Sequence, residues 1–263
     1  MNVGNELLSN LSKDDFNKIL PFMTRISLQQ DAQLTPVNEV PEYAYFPESG
    51  IVSVVAYADD DRRFHVGMYG AEGFGSIPTV LGAGKSPTAE FVQSSGYAYR
   101  ISTDDLNRAA ERSPAFRTLL LRFVHVFLTQ VAFTALAGSS PHRVDQRLAR
   151  CLLMWQDRIR GTALQVTHLA LSAILGVRRA GITEAVHELE GQKMIRAQRG
   201  LINILDRPRL EKLAADCYGP PEAEYRRLIG EFRARPAPPF LAMHAAWGLT
   251  RGESRQPDRP VKW

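Results

Sequence analysis

The spacing of apolar residues divides the chain into segments of different periodicity. Between Ser27 and Ile101, apolar residues come in short alternating or β-rich runs separated by Gly, Pro and Asp. This pattern predicts short strands joined by tight turns, as in an antiparallel sandwich or jelly roll. The predicted strands are Tyr43–Phe46, Ile51–Tyr57, Phe64–Met68, Glu90–Gln93 and Tyr97–Ile101.

Helical patterns lie on both sides of these strands. Asn5–Met23 has a helical pattern in which Ser12 can cap a helix and Phe16 lies on its apolar face. A longer helix is predicted from Ser113-Pro114 to about Ala137, since Ser is a good cap and Pro suits the first helical position. This helix is apolar nearly all round and therefore needs cover on more than one side.

Two arrangements could bury the apolar surface of the long helix. It is buried within a monomer, or one side packs on the strands and the other on its copy in a second chain. We favour the homodimer because few other elements remain to cover the helix. Arg122, His125 and Gln130 interrupt the apolar run, which argues against a membrane span.

The pattern continues beyond a short hinge at residues 138–141. His142–Arg160 is predicted to be a helix with an apolar stripe, and its arginines are expected to lie outside that stripe. The stripe is Leu148, Cys151, Leu152 and Trp155, and the arginines are Arg143, Arg147, Arg150 and Arg158. After Leu213 the periodicity weakens. Glu222–Phe232 is compatible with one helix, and residues 220–263, above all those beyond Ala234, are expected to form a poorly ordered tail.

The most informative pattern lies at residues 166–205. A short apolar helix, Leu169–Leu175, which Thr167 can cap, meets a turn at Gly176. A second amphipathic helix begins near Arg178. The second helix buries Ile182, Val186 and Leu189 at spacings of four and three. Two short strands are predicted around Arg199-Gly200. This order of elements is that of a winged helix-turn-helix, which reads the major groove of DNA.

The exposed side of this motif supplies the candidate DNA contacts. Arginine can donate two hydrogen bonds to a guanine edge, and basic residues of the wing suit phosphate contact. Glu184 either accepts from a cytosine amino group or faces water. An unrelated helical hairpin with solvated arginines is the alternative, but the wing and the local charge favour DNA binding. The candidates are Thr167, His168, Arg178, Arg179, Ala180, Thr183, Glu184, His187, Lys193 and Arg199.

Charge is distributed unevenly along the 263 residues. Residues 1–113 hold 9 Lys+Arg against 15 Asp+Glu, whereas residues 142–213 hold 13 against 7. An acidic first half followed by a basic segment suits a sensor joined to a nucleic-acid reader. The two cysteines match no metal or disulfide framework, and the chain start lacks signal-peptide features, so we expect a cytoplasmic protein.

The sequence contains no motif that predicts catalysis or a cofactor. There is no catalytic triad pattern, metalloprotease motif or Walker loop, so no catalytic residue and no metal ligand is assigned. Cys151 and Cys217 are placed unfavourably for an iron–sulfur cluster, and His65 is interpreted as an ordinary strand residue rather than a haem ligand. No cofactor is therefore expected.

Two stretches resemble a known family. Residues 176–219, GVRRAGITEAVHELEGQKMIRAQRGLINILDRPRLEKLAADCYG, resemble the C-terminal part of the Crp/Fnr family of bacterial transcription regulators. YFPESGIVSVV and GAEGFGSIPTVLG resemble that family's cyclic-nucleotide-binding-like β domain. The resemblance implies an α+β fold with a β jelly roll, a long dimerisation helix and a winged helix-turn-helix. It also places Arg179 at the family's base-contacting arginine, and makes RNA polymerase a candidate partner.

The chain departs from that family at its ligand loop and its recognition helix. By resemblance, cyclic-nucleotide-binding members hold the ribose with a Gly-Glu and the phosphate with an Arg, whereas this chain lacks the Glu and has Pro87 at the Arg position. Ala180 and Glu184 replace a Glu and an Arg of the cyclic-AMP-responsive members. We therefore expect weak or no cyclic AMP binding. The residues left to hold an unidentified small effector are Gly73, Gly75, Ser76, Lys85, Ser86 and Thr88.

The sequence thus predicts a homodimeric, sequence-specific DNA-binding regulator. Its predicted parts are a sensor domain at 1–113, a dimerisation helix at 114–138 and a winged helix-turn-helix at 142–215. The alternative is a cyclic-nucleotide-binding regulatory or protein-interaction module with a decayed DNA reader. Double-stranded DNA and a second copy of the chain are the expected partners.

Overall fold

The computed structural model describes residues 3–59, 63–139, 142–159 and 163–231. Its first half contains four short helices and seven strands. The helices are α1 (Glu6–Ser9), α2 (Lys13–Ile19), α3 (Ile77–Val80) and α4 (Thr103–Arg112). The strands are β1 (Thr24–Leu28), β2 (Gln33–Thr35), β3 (Tyr43–Pro47), β4 (Ile51–Tyr57), β5 (Arg63–Tyr69), β6 (Ala89–Ser94) and β7 (Gly96–Ser102).

The seven strands form two antiparallel sheets. One has the order β1-β7-β3 and the other β2-β6-β4-β5, which confirms the predicted antiparallel β fold. All five predicted strands are present, each within one residue of its predicted ends. Strands β1 and β2 were not predicted. β2 has three residues, too few to show a period of two, and β1 keeps only Leu28 buried.

The long helix α5 spans Pro114–Ser139 and packs on the second sheet. Phe116, Leu120 and Phe123 are almost fully buried in the same apolar cluster as the sheet residues. The Gln130 amide pairs with the backbone of Met68 in β5, accepting from N–H at 2.7 Å and donating to C=O at 3.0 Å. Gln130, expected from the sequence only to interrupt an apolar run, thus anchors the helix to the sheet. By length and composition, α5 alone among the described helices could cross a membrane.

Gly73, in the loop after β5, lies against Phe123 of α5. A methyl group at this position would overlap the ring of Phe123. We therefore expect Gly73→Ala to lower the free energy of unfolding by about 1–2 kcal/mol, because a filled core resists overpacking. Gly138→Ala is the matched control, since a Cβ there meets nothing within 4 Å. Urea unfolding of both variants tests this; equal stability of the two would contradict it.

The second half of the chain is helical, with a small sheet. Its helices are α6 (Val144–Arg158), α7 (His168–Leu175), α8 (Arg179–Gly191), α9 (Arg207–Ala214) and α10 (Pro220–Leu228). Its strands are β8 (Ala163–Gln165), β9 (Ile195–Gln198) and β10 (Leu201–Ile204), in the order β8-β10-β9. The predicted two-stranded wing thus has a third strand, too short to be recognised in the sequence. Of the predicted hinge, residues 138–139 belong to α5, and residues 140–141 lie outside the described part.

Two arginines of α6 do not lie where the sequence pattern predicted them. The apolar stripe is buried as predicted, but Arg150 and Arg158 are also buried, 7% and 3% exposed. Arg158 Nε lies 2.7 Å from Glu72 Oε1 of the loop after β5, and both side chains are buried. The prediction was wrong for these two residues because α6 packs on the first half of the chain as well as on α7–α9.

The predicted disordered tail does not begin at residue 220. Residues 220–228 form α10, whose Tyr225 is fully buried. His125 Nε2 of α5 lies 3.1 Å from Glu224 Oε2, and Arg122 Nη1 donates to the Leu228 carbonyl at 2.9 Å. This helix therefore covers one side of α5. The rest of the predicted tail, residues 232–263, lies outside the described residues.

Candidate nucleic-acid interface

The first helix of the motif is fixed at both ends. The Thr167 hydroxyl accepts from the Ala170 amide at 3.1 Å and caps α7, as predicted. Gly176 ends the helix with φ at +62°, a left-handed conformation that favours glycine. The Ser172 hydroxyl donates to the Val177 carbonyl at 2.6 Å and holds the turn closed. These contacts set the angle at which the second helix leaves the first.

The second helix, α8, has one buried and one exposed side. Ile182, Ala185, Val186 and Leu189 are buried in the apolar cluster that includes α6 and the small sheet. The opposite side is open to solvent. Arg178, Arg179, Ala180, Glu184 and His187 are exposed on it. The five lie on or directly before the helix at spacings that form one continuous surface.

Positive charge is concentrated at the start of α8. Arg178 is the residue before the helix and Arg179 is its first residue. No described residue forms an ion pair with either guanidinium, so both remain available to an external partner. The N-terminal end of a helix also carries a partial positive charge. This end of α8 is therefore suited to a polyanion.

Besides Thr167, which caps α7, two of the predicted contact residues are used inside the motif. His168 Nδ1 lies 3.1 Å from Thr183 Oγ1, and the Thr183 hydroxyl also donates to the Arg179 carbonyl at 3.1 Å. Both side chains are partly buried. They join the start of α7 to the first turns of α8, so they position the exposed residues beside them.

The wing carries the remaining basic candidates. Gly200, with φ at +73°, closes the β9–β10 hairpin, and Arg199 beside it is exposed. Lys193 is exposed between α8 and β9 with φ at +60°. Arg196 is exposed in β9. These cations flank α8, where phosphates beside a groove would lie.

A buried polar cluster joins α6 to α9 on the side of the motif away from the exposed surface of α8. Arg207 of α9 donates to Asp157 Oδ1 of α6 at 2.7 Å, and the Tyr218 hydroxyl donates to Asp157 Oδ2 at 2.7 Å. Burial, followed by the nearby Asp157 charge, raises the pKa of Tyr218 well above its ordinary value, so its proton stays on. No sequence signal could have found this cluster, because α6, α9 and Tyr218 meet only in the folded chain.

At the loop proposed from the sequence as an effector site, the protein's own side chains occupy the space that a ligand would need. Ser76 is fully buried and donates from its hydroxyl to the Tyr43 carbonyl at 2.7 Å. Ser86 is buried and donates to the Thr88 carbonyl at 2.6 Å. A methyl group at Gly75 would overlap the Tyr69 hydroxyl. Two cavities, of about 240 and about 540 Å³, lie elsewhere, between the sheets and the helix-turn-helix.

Glu90 occupies the space behind this loop. Its carboxylate accepts from the Ser76 amide and from the Tyr69 hydroxyl, each at 2.8 Å. Burial raises the pKa of Glu90, and the hydrogen bonds from Ser76, Tyr69 and Thr35 only partly oppose this. The carboxyl group is thus an internal acceptor rather than a ligand for a ribose.

Replacement of Glu90 by glutamine should change how stability depends on pH. The folded protein binds this proton more tightly than the unfolded chain does, so the stabilisation is complete below the unfolded pKa of about 4.3. It is lost as pH rises from there through the folded pKa. We expect the stability of Glu90→Gln relative to the wild type to rise over that range in urea unfolding. A difference that stays constant with pH would contradict this.

Comparison with known proteins agrees with this geometry. Residues 146–213 match the model of the Crp-like helix-turn-helix domain, which spans most of α6 through α9. No curated protein sequence matches the chain. The match therefore identifies residues 146–213 as a DNA-binding module.

Solved structures extend the likeness to the whole fold. FixK2 from Bradyrhizobium japonicum is 20% identical with a TM-score of 0.63, over 73% of this chain and 98% of that one. The c-di-GMP-responsive regulator CLP from Xanthomonas campestris is 18% identical with a TM-score of 0.60, over 73% and 99%. TTHA1359, a Crp/Fnr-family transcriptional regulator from Thermus thermophilus, is 18% identical with a TM-score of 0.60, over 74% and 100%.

These findings define the class of the protein. The chain combines a Crp-like helix-turn-helix domain with the overall fold of the Crp/Fnr regulators. It is a DNA-binding transcription regulator that has the fold of the Crp/Fnr regulators. The resemblance and the fold class predicted from the sequence are both confirmed, and the alternative of a module with a decayed DNA reader is not favoured.

Proposed function

We propose that the protein binds specific DNA sequences as a homodimer, with α8 of each protomer in the major groove. The observation that carries this proposal is the exposed side of α8, which follows the capped helix α7 and the closed turn at Gly176. It begins with two arginines that have no ion-pair partner among the described residues. A decayed reader would be expected to lose such features.

Within this surface the residues take different roles. Arg179, with Arg178, contacts base edges, and Ala180 and His187 lie against the groove. Thr167, Lys193 and Arg199 contact phosphates on either side. His168 and Thr183 position the helix through their mutual contact. Glu184 faces water beside the DNA, since a carboxylate near phosphate is repelled.

An exposed stripe on α5 supports the dimer. Its members recur at alternating spacings of three and four, the repeat that pairs two helices in a coiled coil. Leu128 is 58% exposed and Leu121 is 40% exposed, although both are large apolar residues. The side of α5 that packs on the sheets and the side covered by α10 leave most of this stripe free. His125 lies at its edge, because it also contacts Glu224 of α10. The stripe is Thr118, Leu121, His125, Leu128, Ala132, Ala135 and Ser139.

Two-fold symmetry about this stripe sets the form of the binding site. The two α8 helices would enter successive major grooves on one side of the duplex, with half-sites about 34 Å apart. The operator is then an inverted repeat. The protein acts in the cytoplasm, where DNA and RNA polymerase are available to it, and needs no membrane.

The trigger of this regulator is not cyclic AMP bound at the loop of residues 73–88. The side chains of Phe123, Tyr69 and Glu90 occupy the space next to that loop. They pack against Gly73, Gly75 and Ser76. Lys85 is exposed and serves as an ordinary surface cation. Calorimetric binding of cyclic AMP at micromolar concentration that disappears in Lys85→Ala would overturn this part of the proposal.

A gel-shift experiment tests the proposed function. Genomic fragments are bound by the purified protein at several salt concentrations, with a random duplex of equal length as the control. We expect a few fragments to bind at least about 1,000 times more tightly than the control. If the protein binds all fragments and the control weakly, and its affinity for each falls equally as the salt concentration rises, it recognises only the charge of the phosphates.

A further inference from the structure

A cavity lies where the two halves of the chain meet. Its volume is about 240 Å³, and its walls come from β5, the C-terminal half of α5, α6 and α7. Most of the lining is apolar, from residues such as Val66, Val131 and Ile174. It shares no residue with the loop of residues 73–88 and none with the exposed side of α8.

Two guanidinium groups line this apolar space, and no Asp or Glu is among its described lining residues. They belong to Arg147 and Arg150, and Arg147 also donates to the Leu175 carbonyl at the end of α7. Arg150 is 7% exposed and has no carboxylate oxygen of a described residue within 4 Å. A buried cation usually has such a partner, because removal of its hydration is costly.

The hydrogen bonds of Arg150 involve two of its three nitrogens. Nε donates to the Cys217 carbonyl at 2.8 Å, and Nη2 donates to the Thr134 hydroxyl at 3.0 Å and the Gln130 carbonyl at 3.4 Å. Nη1 has no acceptor among the described residues. The side chain is therefore held rigidly by Nε and Nη2, and Nη1 is left to donate to a ligand.

A second group in the wall is also unsatisfied. His65 Nε2 is shielded from solvent and has no hydrogen-bond partner in the described part of the chain. Burial, with the charges of Arg150 and Arg158, lowers the pKa of His65 to about 3, so its ring is neutral. A neutral ring can donate from one nitrogen or accept at the other without competing with Arg150 for an anion.

We propose that this cavity binds a small organic anion, a carboxylate with a short apolar body, with Arg150 as its main charge partner and Arg147 as the second. The volume corresponds to about eight water molecules at about 30 Å³ each. It lies below the range of about 300–1,000 Å³ that accommodates drug-sized ligands. A monocarboxylate of about ten non-hydrogen atoms fits it, whereas a nucleotide is too large.

Binding at this position would couple the two halves of the chain. Ile51 and Met68 of the sheets belong to the same buried cluster as Leu148 and Leu152 of α6. A ligand between β5 and α7 stabilises this packed arrangement over any in which the helix-turn-helix has moved away. The effect on DNA affinity rests on the proposed function, but binding of the ligand does not, so calorimetry without DNA tests the cavity alone.

Isothermal titration calorimetry of the full chain with phenylacetate tests the site. Phenylacetamide is the matched control ligand, since it has the same size and no charge. We expect phenylacetate to bind about tenfold more tightly than the amide, because a hydrogen bond to a charged group is roughly twice as strong as a neutral one. Failure of acetate, benzoate and phenylacetate alike to bind, or equal affinity for acid and amide, would overturn the proposal.

Three variants and one control variant locate the binding site. Arg150→Met should remove the preference for phenylacetate over phenylacetamide, and Arg147→Met should reduce it without the risk of unfolding that a buried residue brings. Ala173→Phe fills the cavity and should abolish binding of both ligands, whereas Ala115→Phe, exposed at the start of α5, should leave both unchanged. Binding that persists in Arg147→Met and Ala173→Phe with the same preference would place the ligand elsewhere.

Discussion

The change Leu128→Glu is expected to convert the protein to monomers and to abolish specific DNA binding. In a dimer paired through the α5 stripe, the two copies of Leu128 would be buried against the partner helix. The change removes two buried leucines and sets two carboxylates against an apolar surface. The loss is at least about 4 kcal/mol of dimer stability, or about 1,000-fold in the dimer Kd.

A matched control separates the dimer effect from a general effect of added charge. Leu81 is 56% exposed and Leu128 is 58% exposed in the protomer, but Leu81 lies just after α3, away from the stripe. Leu81→Glu should therefore remain dimeric. Sedimentation equilibrium of both variants measures the difference. A Leu128→Glu variant that remains as dimeric as the wild type would show that α5 does not form the dimer contact.

The second large effect is expected at Arg179. Its guanidinium lies at the first position of α8, is exposed and has no ion-pair partner among the described residues. Arg179→Ala should cost about 1–3 kcal/mol at the specific operator, because a bidentate contact to a guanine edge is lost. Random DNA should lose less affinity than the operator. Fluorescence anisotropy with both duplexes measures the two losses.

Arg199→Ala is the control for Arg179→Ala. Arg199 is exposed in the wing turn and is expected to contact only phosphate. Its loss should lower the affinity for the operator and for random DNA equally. It should also reduce the slope of log affinity against log salt concentration by about one. If Arg179→Ala behaves in the same way, Arg179 contacts phosphate and base reading belongs to other residues of α8.

Much of the fold could be predicted because its signals are local. The β-rich apolar run at Ile51–Tyr57 identifies β4 without knowledge of its neighbours. The sequence signal for the turn of the helix-turn-helix is equally local. Thr167 can cap the start of α7, and Gly176, which ends α7, can adopt φ at +62°. The exposed side of α8 follows from its spacing once Ile182, Val186 and Leu189 are assigned to the core.

The features that were missed depend on contacts between distant residues. Arg150 and Arg158 were predicted only to lie outside the apolar stripe of α6, where an arginine is usually exposed. Only the packing of α6 against β5 and Glu72 makes them buried. Likewise, the pattern at Glu222–Phe232 indicates a helix but not its position in the fold, because Tyr225 is buried only by contact with α5 and α1. The cavity at Arg150 could not be seen in the sequence for the same reason.

The most direct test of sequence-specific binding by a symmetric dimer is footprinting of the purified protein on genomic fragments that it retards in gels. We predict two protected half-sites on one side of the duplex, related as an inverted repeat and centred about 34 Å apart. The retarded fragments should share this repeat. Protection that covers the fragments uniformly, without a shared repeat, would contradict binding of a specific sequence by a symmetric dimer.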